Sequence, residues 1–477
     1  MPISSITFMF VFFPVVLMAY FLLSFSRPLQ NFWLFLASVA YYALGQAYFV
    51  IPLLLIVLIS WLLGLLISRS PPKAAKALLI LACCAIAGNL FVLRYAGAIW
   101  GIVGQAAGLD PMLDSLLSKA PLGVAFYTLN ALAYCIEVYR GAGPEKNPAY
   151  VGLYIAFFPN IIAGPIPRYR QFSSEIRNRR HSVNACSKGV CRFAAGFVKL
   201  QLLAHQIATI ADLVFDWSAM GRFDAELTVT AAWLGLIAYA LQIYLELSAY
   251  ADMAIGIGQI FGFSLPENFN QPYSASSVTD FWRRWNITLT AWFREYIYTP
   301  MGGGKLANKD TVIRNLLIVW ILIGLWHGNG IVNILFGVWF FVLMLAEHFL
   351  EIKNKNGYGF FRHLYTMLAF MAGCVLLRTE NIYQAGRFFM NLSGTNFNAF
   401  HSGLTTVLLR ENMLWLLLGL LFSTPLVHTL YRRLQEHNAK TAVSVCNLLY
   451  PIVLGCALLI SLVYMTQGTC GALPYQI

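Results

Sequence analysis

Apolar runs close to the length that crosses a bilayer, about 20 residues, recur from one end of the chain to the other. They fall at residues 6–25, 32–50, 52–67, 77–98, 120–138, 150–163, 189–215 and 229–247, then at 312–326, 331–349, 360–376, 413–430 and 442–465. The pattern predicts an all-α integral membrane protein of about a dozen transmembrane and partial or re-entrant helices. No interval between runs is long enough for a soluble core, so residues 1–477 read as a single polytopic domain. Two runs, 150–163 and 312–326, fall short of a full crossing of about 30 Å. Short apolar pieces broken by Pro and Gly mark partial helices, tolerated where protein or water covers their ends. The first run lacks a basic leader and a small-residue cleavage site and reads as a retained span, not a removed signal.

Composition agrees with lipid as the main solvent: 59% of residues are hydrophobic and 11% charged, against about a quarter charged in soluble domains. The net charge of +12 belongs to cytoplasmic loops under the positive-inside rule, and nucleic acid is not an expected partner. One basic cluster holds Arg168, Arg170, Arg177, Arg179, Arg180, Lys188 and Arg192, and a second holds Arg283, Arg284, Arg294, Lys305, Lys309 and Arg314. Two spans separate them, joined by a loop with Asp216, Asp224 and Glu226 against Arg222. Two crossings return the chain to the same face, so both clusters are expected in the cytoplasm. Residues 268–304 interleave Phe281, Trp282, Trp285, Leu289, Trp292, Phe293, Tyr296 and Tyr298 with arginines, an interfacial amphipathic pattern. The nine cysteines, from Cys83 to Cys470, show no paired ligand spacing, which argues against disulfides and zinc.

The most informative polar residue is His327, in Trp326-His327-Gly328-Asn329-Gly330 between a short apolar run and a full one. Ionisable groups at membrane depth usually face a wet cavity or the bundle interior and mark a site. Counted from Arg314 at about 1.5 Å per residue, His327 is expected well inside the membrane. A histidine exchanges protons near neutral pH and suits general-base activation of a hydroxyl; the alternative is a core histidine donating to a carbonyl. Asn286, in an aromatic setting, is a candidate for polarising a carbonyl or orienting the histidine, or else forms a helix-end hydrogen bond. Glu137, Glu246, Asp252 and Glu347 also fall at membrane depth, where each needs a partner or a wet cavity. Glu246 or Asp252 is a candidate for fixing the histidine tautomer, or for pairing with an arginine of the second cluster, and the intervening Ser248-Ala249-Tyr250-Ala251 is expected to unwind. The other histidines form no ligand set, and no metal is expected. Neither a nucleophile elbow nor a phosphate loop is present, since Gly302-Gly303-Gly304-Lys305 lacks the required spacing.

Five stretches, in order, resemble the membrane-bound O-acyltransferase (MBOAT) superfamily: Pro121-Leu122-Gly123-Val124-Ala125-Phe126-Tyr127; Phe157-Phe158-Pro159-Asn160-Ile161-Ile162-Ala163-Gly164-Pro165-Ile166; Pro266-Glu267-Asn268-Phe269-Asn270; Asp280-Phe281-Trp282-Arg283-Arg284-Trp285; and Leu325-Trp326-His327-Gly328. The resemblance is strongest to the membrane subunits of alginate O-acetylation systems. It defines a core at about 121–387, with flanking transmembrane helices in 1–120 and 388–477. It implies a ring of helices round a funnel, in a bacterial cytoplasmic (inner) membrane. His327 becomes the catalytic base. Asn286 stands where close relatives have a second histidine and wider members have Asn or Asp, and becomes a second catalytic candidate. Trp285, Trp326, Arg283, Arg284, Glu246 and Asp252 complete the candidate set as substrate-binding residues, although relatives prefer aspartate and small residues around Glu246. The implied reaction passes an acetyl group from a cytosolic thioester, acetyl-CoA or an acyl carrier, to a hydroxyl of an extracytoplasmic esterase-like partner protein or polysaccharide. D-alanyl transfer to a cell-wall polymer and non-catalytic transport of an acyl donor are the alternatives.

Overall fold

The computed structural model describes residues 2–107, 121–220, 227–304, 308–328, 330–350, 359–436 and 440–466. Arg222, Asp224, Glu226, Lys305, Asn329 and Cys470, named above, and position 120, where one predicted run starts, lie outside them. All regular structure among the described residues is helical. Nine helices there are long and apolar enough to cross a membrane, and Phe8–Leu22 and Val124–Tyr139 add shorter apolar ones. Their outer faces stay bare: of the apolar window in Ser444–Thr466 only 6% is buried, as expected where lipid replaces a protein neighbour.

The chain divides into two compact units, the first built on Met1–Phe193 and Met253–Pro266. A π-helical turn, Phe8–Phe12, leads into α1 (Phe13–Leu22). Then follow α2 (Arg27–Gln46), α3 (Val50–Arg69), α4 (Pro72–Ala107) and α5 (Val124–Tyr139). The short run at 150–163 is a partial helix, as predicted. α6 covers only Pro148–Ala156; Asn147 accepts the Ala149 amide at its start, and the chain leaves the helix at Phe157, two residues before Pro159. From Val151 to Ile161 every residue is buried, so protein covers the broken end. α7 (Tyr169–Asn178) has no side-chain cap of its own. Instead Glu137, buried on α5, accepts the amides of Tyr169 and Arg170 at 3.2 and 3.1 Å. That acid is a cap donated by another helix, satisfying two of the amides a helix start leaves open.

The second unit is built on Ala194–Asp252 and Glu267–Pro474. The span predicted at 189–215 is longer, running as α8 (Val183–Val198), a π turn at Lys199–Ala204, and α9 (His205–Met220). α10 (Val229–Ile260) is continuous, so the unwinding expected at Ser248–Ala251 does not occur. None of those four residues is a helix breaker, and Ser248 turns its hydroxyl back to the Leu245 carbonyl. The interfacial reading of residues 268–304 is also corrected. The segment folds as α11 (Val278–Arg284), α12 (Ile287–Phe293) and a π turn at Arg294–Tyr298. Phe281, Trp282, Trp285, Leu289, Trp292, Phe293 and Tyr296 are all buried in protein. Their aromatic surface is spent on internal packing, which a composition pattern cannot tell from a lipid-facing belt.

α13 (Lys309–His327) is the other run expected to be short, and it reaches 19 residues. Asn308 caps it through the Thr311 amide, so polar Lys309, Asp310 and Thr311 form a first turn that the apolar count omitted. His327 therefore lies about 27 Å from the start of the helix at 1.5 Å per residue, at its far end and not part-way along. α14 (Ile331–Phe349) returns antiparallel to it, and α15 (Gly359–Arg378) and α16 (Ile382–Ser393) follow. Contact between α13 and α14 is backbone to backbone. A Cβ at Gly337 would sit 2.2 Å from the Trp320 carbonyl oxygen, and one at Gly324 2.4 Å from that of Asn333. Small residues at helix crossings allow this approach in lipid. The run predicted at 413–430 is divided between α17 (Gly403–Ser423) and α18 (Leu426–Glu436) by the extended Thr424 ahead of Pro425. α19 (Lys440–Thr466) ends the described chain.

Candidate active site

His327 is the last residue of α13, at the tip of the α13–α14 hairpin. Gly328 follows in a fully extended conformation, and a Cβ there would fall 1.6 Å from the Asn333 amide nitrogen of α14. The two helices are thus in contact up to the residue after the histidine. The imidazole is part-exposed and held edge-on by two rings, Trp326 at 4.9 Å and Phe336 at 5.1 Å between centroids. Phe336 packs on Phe340 at 4.9 Å and on Trp282 at 6.1 Å, and Trp282 packs on Trp320 at 5.0 Å. A continuous aromatic wall therefore runs from the histidine to α11, which carries Trp282.

Asn286 joins α11 to α12 and adopts a left-handed conformation, φ 42° and ψ 56°. Left-handed backbone is costly for most side chains and favours Asn, Asp and His among the non-glycines. This gives a backbone reason for the three residue types that the family resemblance places here. The helix-end hydrogen bond considered for Asn286 is made by another residue: Asn268 Oδ1 accepts from the Thr288 amide at 3.1 Å and from its hydroxyl at 2.8 Å. Asn286 forms no side-chain cap.

The neighbouring motif residues are occupied in different ways. Trp285 is buried among Phe269, Phe281 and Phe370, with ring centroids 5.1 to 5.4 Å away. Arg284 donates to Asp280 at 2.9 Å and to Ser274 at 3.1 Å, whereas Arg283 is exposed. Trp326 is 6% exposed and is the motif residue that touches His327.

The family model for membrane-bound O-acyltransferases (MBOAT) matches residues 18–377, three quarters of the chain. This chain belongs to the MBOAT family. Among curated relatives it is 33% identical to a probable alginate O-acetylase AlgI of Pseudomonas fluorescens, over 82% of this chain and 75% of that protein. It is 31% identical to a peptidoglycan O-acetyltransferase of Helicobacter pylori, over 74% of this chain and 70% of that one. A teichoic acid D-alanyltransferase of Bacillus subtilis matches at 27% identity over 49% of this chain and 60% of its own length. The MBOAT chain is therefore an O-acyltransferase and a multi-pass membrane protein.

In this acyltransferase the acids at membrane depth divide by role. Asp252 pairs with Lys199 at 2.5 Å. Glu347, 1% exposed, accepts the Val278 and Thr279 amides at 2.6 and 2.9 Å and the Thr279 hydroxyl at 2.6 Å. It caps α11 as Glu137 caps α7. Glu246 is buried on α10; Gln242 is the polar side chain beside it, yet neither carboxylate oxygen reaches hydrogen-bond geometry with a donor among the described residues. Three further residues shape the candidate site without having been marked for it: Phe336 holds the histidine ring, Asn333 packs on Gly328, and buried Trp282 carries an indole N–H with no partner among the described residues. Trp282 was visible in the sequence as one of the aromatics at 268–304; Phe336 and Asn333 carry no signal that separates them from other span residues.

Proposed function

We propose that the protein transfers an acetyl group from acetyl-CoA, bound from the cytosol, to a hydroxyl presented on the extracytoplasmic side of a bacterial inner membrane, with His327 as general base. The neutral imidazole takes the hydroxyl proton as the oxygen attacks the thioester carbonyl; the C–S bond then breaks and the imidazolium returns a proton to the departing thiolate. Asn286 holds the thioester carbonyl or the imidazole through its amide. The observation that carries this reading is a part-exposed imidazole fixed at the tip of a rigid helical hairpin, in a chain whose family performs acyl transfer. Acetyl is favoured over D-alanyl because the O-acetylating relatives match more of the chain, 82% against 49%, at higher identity. The acceptor hydroxyl belongs to a cell-surface polysaccharide, as the names of the acetylating relatives suggest, and is reached directly or by way of an esterase-like partner protein. Replacing His327 with Ala is expected to abolish acetyl transfer while leaving the melting temperature within a few degrees of the parent. Full transfer by that variant would defeat the proposal.

A further inference from the structure

Within the first unit, three helix ends meet at a group of cations that has no counter-charge. α7 ends at Asn178, α8 starts at Val183, and Arg27 is the first residue of α2. Neither α2 nor α8 has an acid in its first turn. Arg27, Arg180 and His181 therefore stand at the positive ends of two helix dipoles, where anions are favoured and cations are not. Arg179 lies beneath them, 4% exposed. Its guanidinium covers the Phe263 ring at 4.6 Å and donates to the Tyr20 hydroxyl at 2.9 Å, Asn31 Oδ1 at 2.5 Å and the Ile176 carbonyl at 3.0 Å. Its Nη2 meets no acceptor among the described residues.

Arg27 is held by neutral acceptors as well. Nη1 donates to Gln30 Oε1 at 2.9 Å and to His181 Nε2 at 3.1 Å, and Nη2 donates to the Arg179 carbonyl at 3.0 Å. These bonds leave the Nε–H and one Nη2–H of a part-exposed side chain unused. Arg180 is exposed, and no described residue pairs with its side chain. The acids that the sequence places nearby are engaged elsewhere, Glu145 by Arg177 and Glu175 by the Ser264 amide at 3.0 Å. A buried charge is costly without a counter-charge, so this end of the unit calls for an anion.

The surroundings say which kind. The two unused donors of Arg27 suit two oxygens of one oxyanion, the geometry by which arginine recognises phosphate. Phe21, Leu22, Phe25 and Val183, which flank these residues in the chain, are exposed apolar side chains, as expected of a surface that lipid covers. The basic cluster to which Arg179 and Arg180 belong is cytoplasmic under the positive-inside rule. We infer that Arg27, with Arg180 at the rim and Arg179 beneath, binds the phosphate of an anionic phospholipid of the cytoplasmic leaflet. The lipid supplies the missing charge and ties the start of α2 to the α7–α8 junction, while its acyl chains lie on the apolar flank.

The test is native mass spectrometry of the full chain in detergent, titrated with phosphatidylglycerol and with zwitterionic phosphatidylcholine. One arginine beside an anionic lipid contributes about fivefold in binding, so two give an expected preference for phosphatidylglycerol of about 25-fold. Arg180→Gln removes a side chain that holds nothing in the protein and is expected to lower the preference to about fivefold. The Arg27→Gln, Arg180→Gln double variant is expected to abolish it, and Arg180→Gln decides alone where the double variant does not fold. Coenzyme A and inorganic phosphate, added in excess, are expected to leave the bound phosphatidylglycerol in place. No preference in the parent overturns the inference, as does an unchanged preference in Arg180→Gln. Displacement of the lipid by coenzyme A or inorganic phosphate, with the same dependence on the two arginines, overturns the lipid assignment in favour of a soluble phosphate.

Discussion

Substituting Gly337 with Ala tests whether the α13–α14 hairpin positions the reacting histidine. The new methyl group would lie 2.2 Å from the Trp320 carbonyl oxygen and 2.9 Å from its carbon. Both are backbone atoms, so no side chain can swing aside. Ordinary contact begins near 3.4 Å, so the helices must part by about 1 Å, and strain of this kind costs typically 1–3 kcal/mol. The parting would act on the aromatic wall, because Trp320 packs on Phe340 at 5.4 Å and on Trp282 at 5.0 Å. Displacing a reacting group by about 1 Å can cost on the order of 100-fold in rate. We expect kcat/KM for acetyl incorporation, measured in membranes supplied with labelled acetyl-CoA, to fall by one to two orders of magnitude, with a lower melting temperature in detergent. The control is Gly455→Ala in α19, where a Cβ meets nothing within 4 Å; it should be neutral or stabilise by up to about 1 kcal/mol. If Gly337→Ala matched the parent in both rate and melting temperature, the hairpin would not be what holds His327 in place.

At Asn286 the left-handed backbone and the amide can be separated. Asn286→Gly keeps the conformation and removes the amide, so a rate loss at unchanged melting temperature supports a chemical role, whereas an unchanged rate leaves the backbone as the residue's whole contribution; Asn286→Ala should also lose about 1–2 kcal/mol of stability. Glu347→Gln takes away the charge and one acceptor from the cap of α11, and a loss of roughly 1–3 kcal/mol is expected from thermal or denaturant unfolding. His181 Nε2 accepts a hydrogen bond from Arg27 at 3.1 Å, which requires the neutral ring; burial, and then the positive charges of Arg27 and Arg179, hold its pKa below 6.5. Its folded value being the lower one, the contribution to stability is complete above about pH 6.5 and is lost as pH falls through the folded value. Hydrogen exchange at residues 176–182 should rise on acidification in the parent and lose that dependence in His181→Asn.

The helix inventory was legible because the periodless apolar runs of a membrane chain carry length directly, and the partial helix at α6 was legible from Pro159 and its short run. What failed was local, in how three stretches pack or are capped. The aromatics of residues 268–304 have the composition of a membrane belt, but they are buried in protein. The start of α13 was missed because Lys309, Asp310 and Thr311 are polar residues that join a helix once Asn308 caps it. Ser248–Ala251 looked like a break only because two acids flank it; the acids find unrelated solutions, Asp252 with Lys199 and Glu246 with neither carboxylate oxygen meeting a donor among the described residues. His327 stood out because an ionisable group followed by two nearby glycines interrupts an apolar pair of helices. Phe336, which holds its ring, is one phenylalanine among 35 and becomes informative only through its contacts.

α14 ties the two candidate catalytic residues to one strut. Near its start, Asn333 and Gly337 lie against the α13 backbone and so fix the end of the helix that carries His327. Near its finish, Glu347 binds the first two amides of α11, and between them Phe336 and Phe340 receive the Trp282 ring of that same short helix. α11 is only seven residues long, too short to be stable alone, so its direction is set by the charged cap and the indole. Asn286 follows one residue beyond its last turn through Trp285. A buried glutamate that takes no part in proton transfer therefore governs where the second candidate residue stands. Loss of that cap and loss of the Gly337 contact act on the same helix, and their effects on rate should combine non-additively, as expected for residues that share partners.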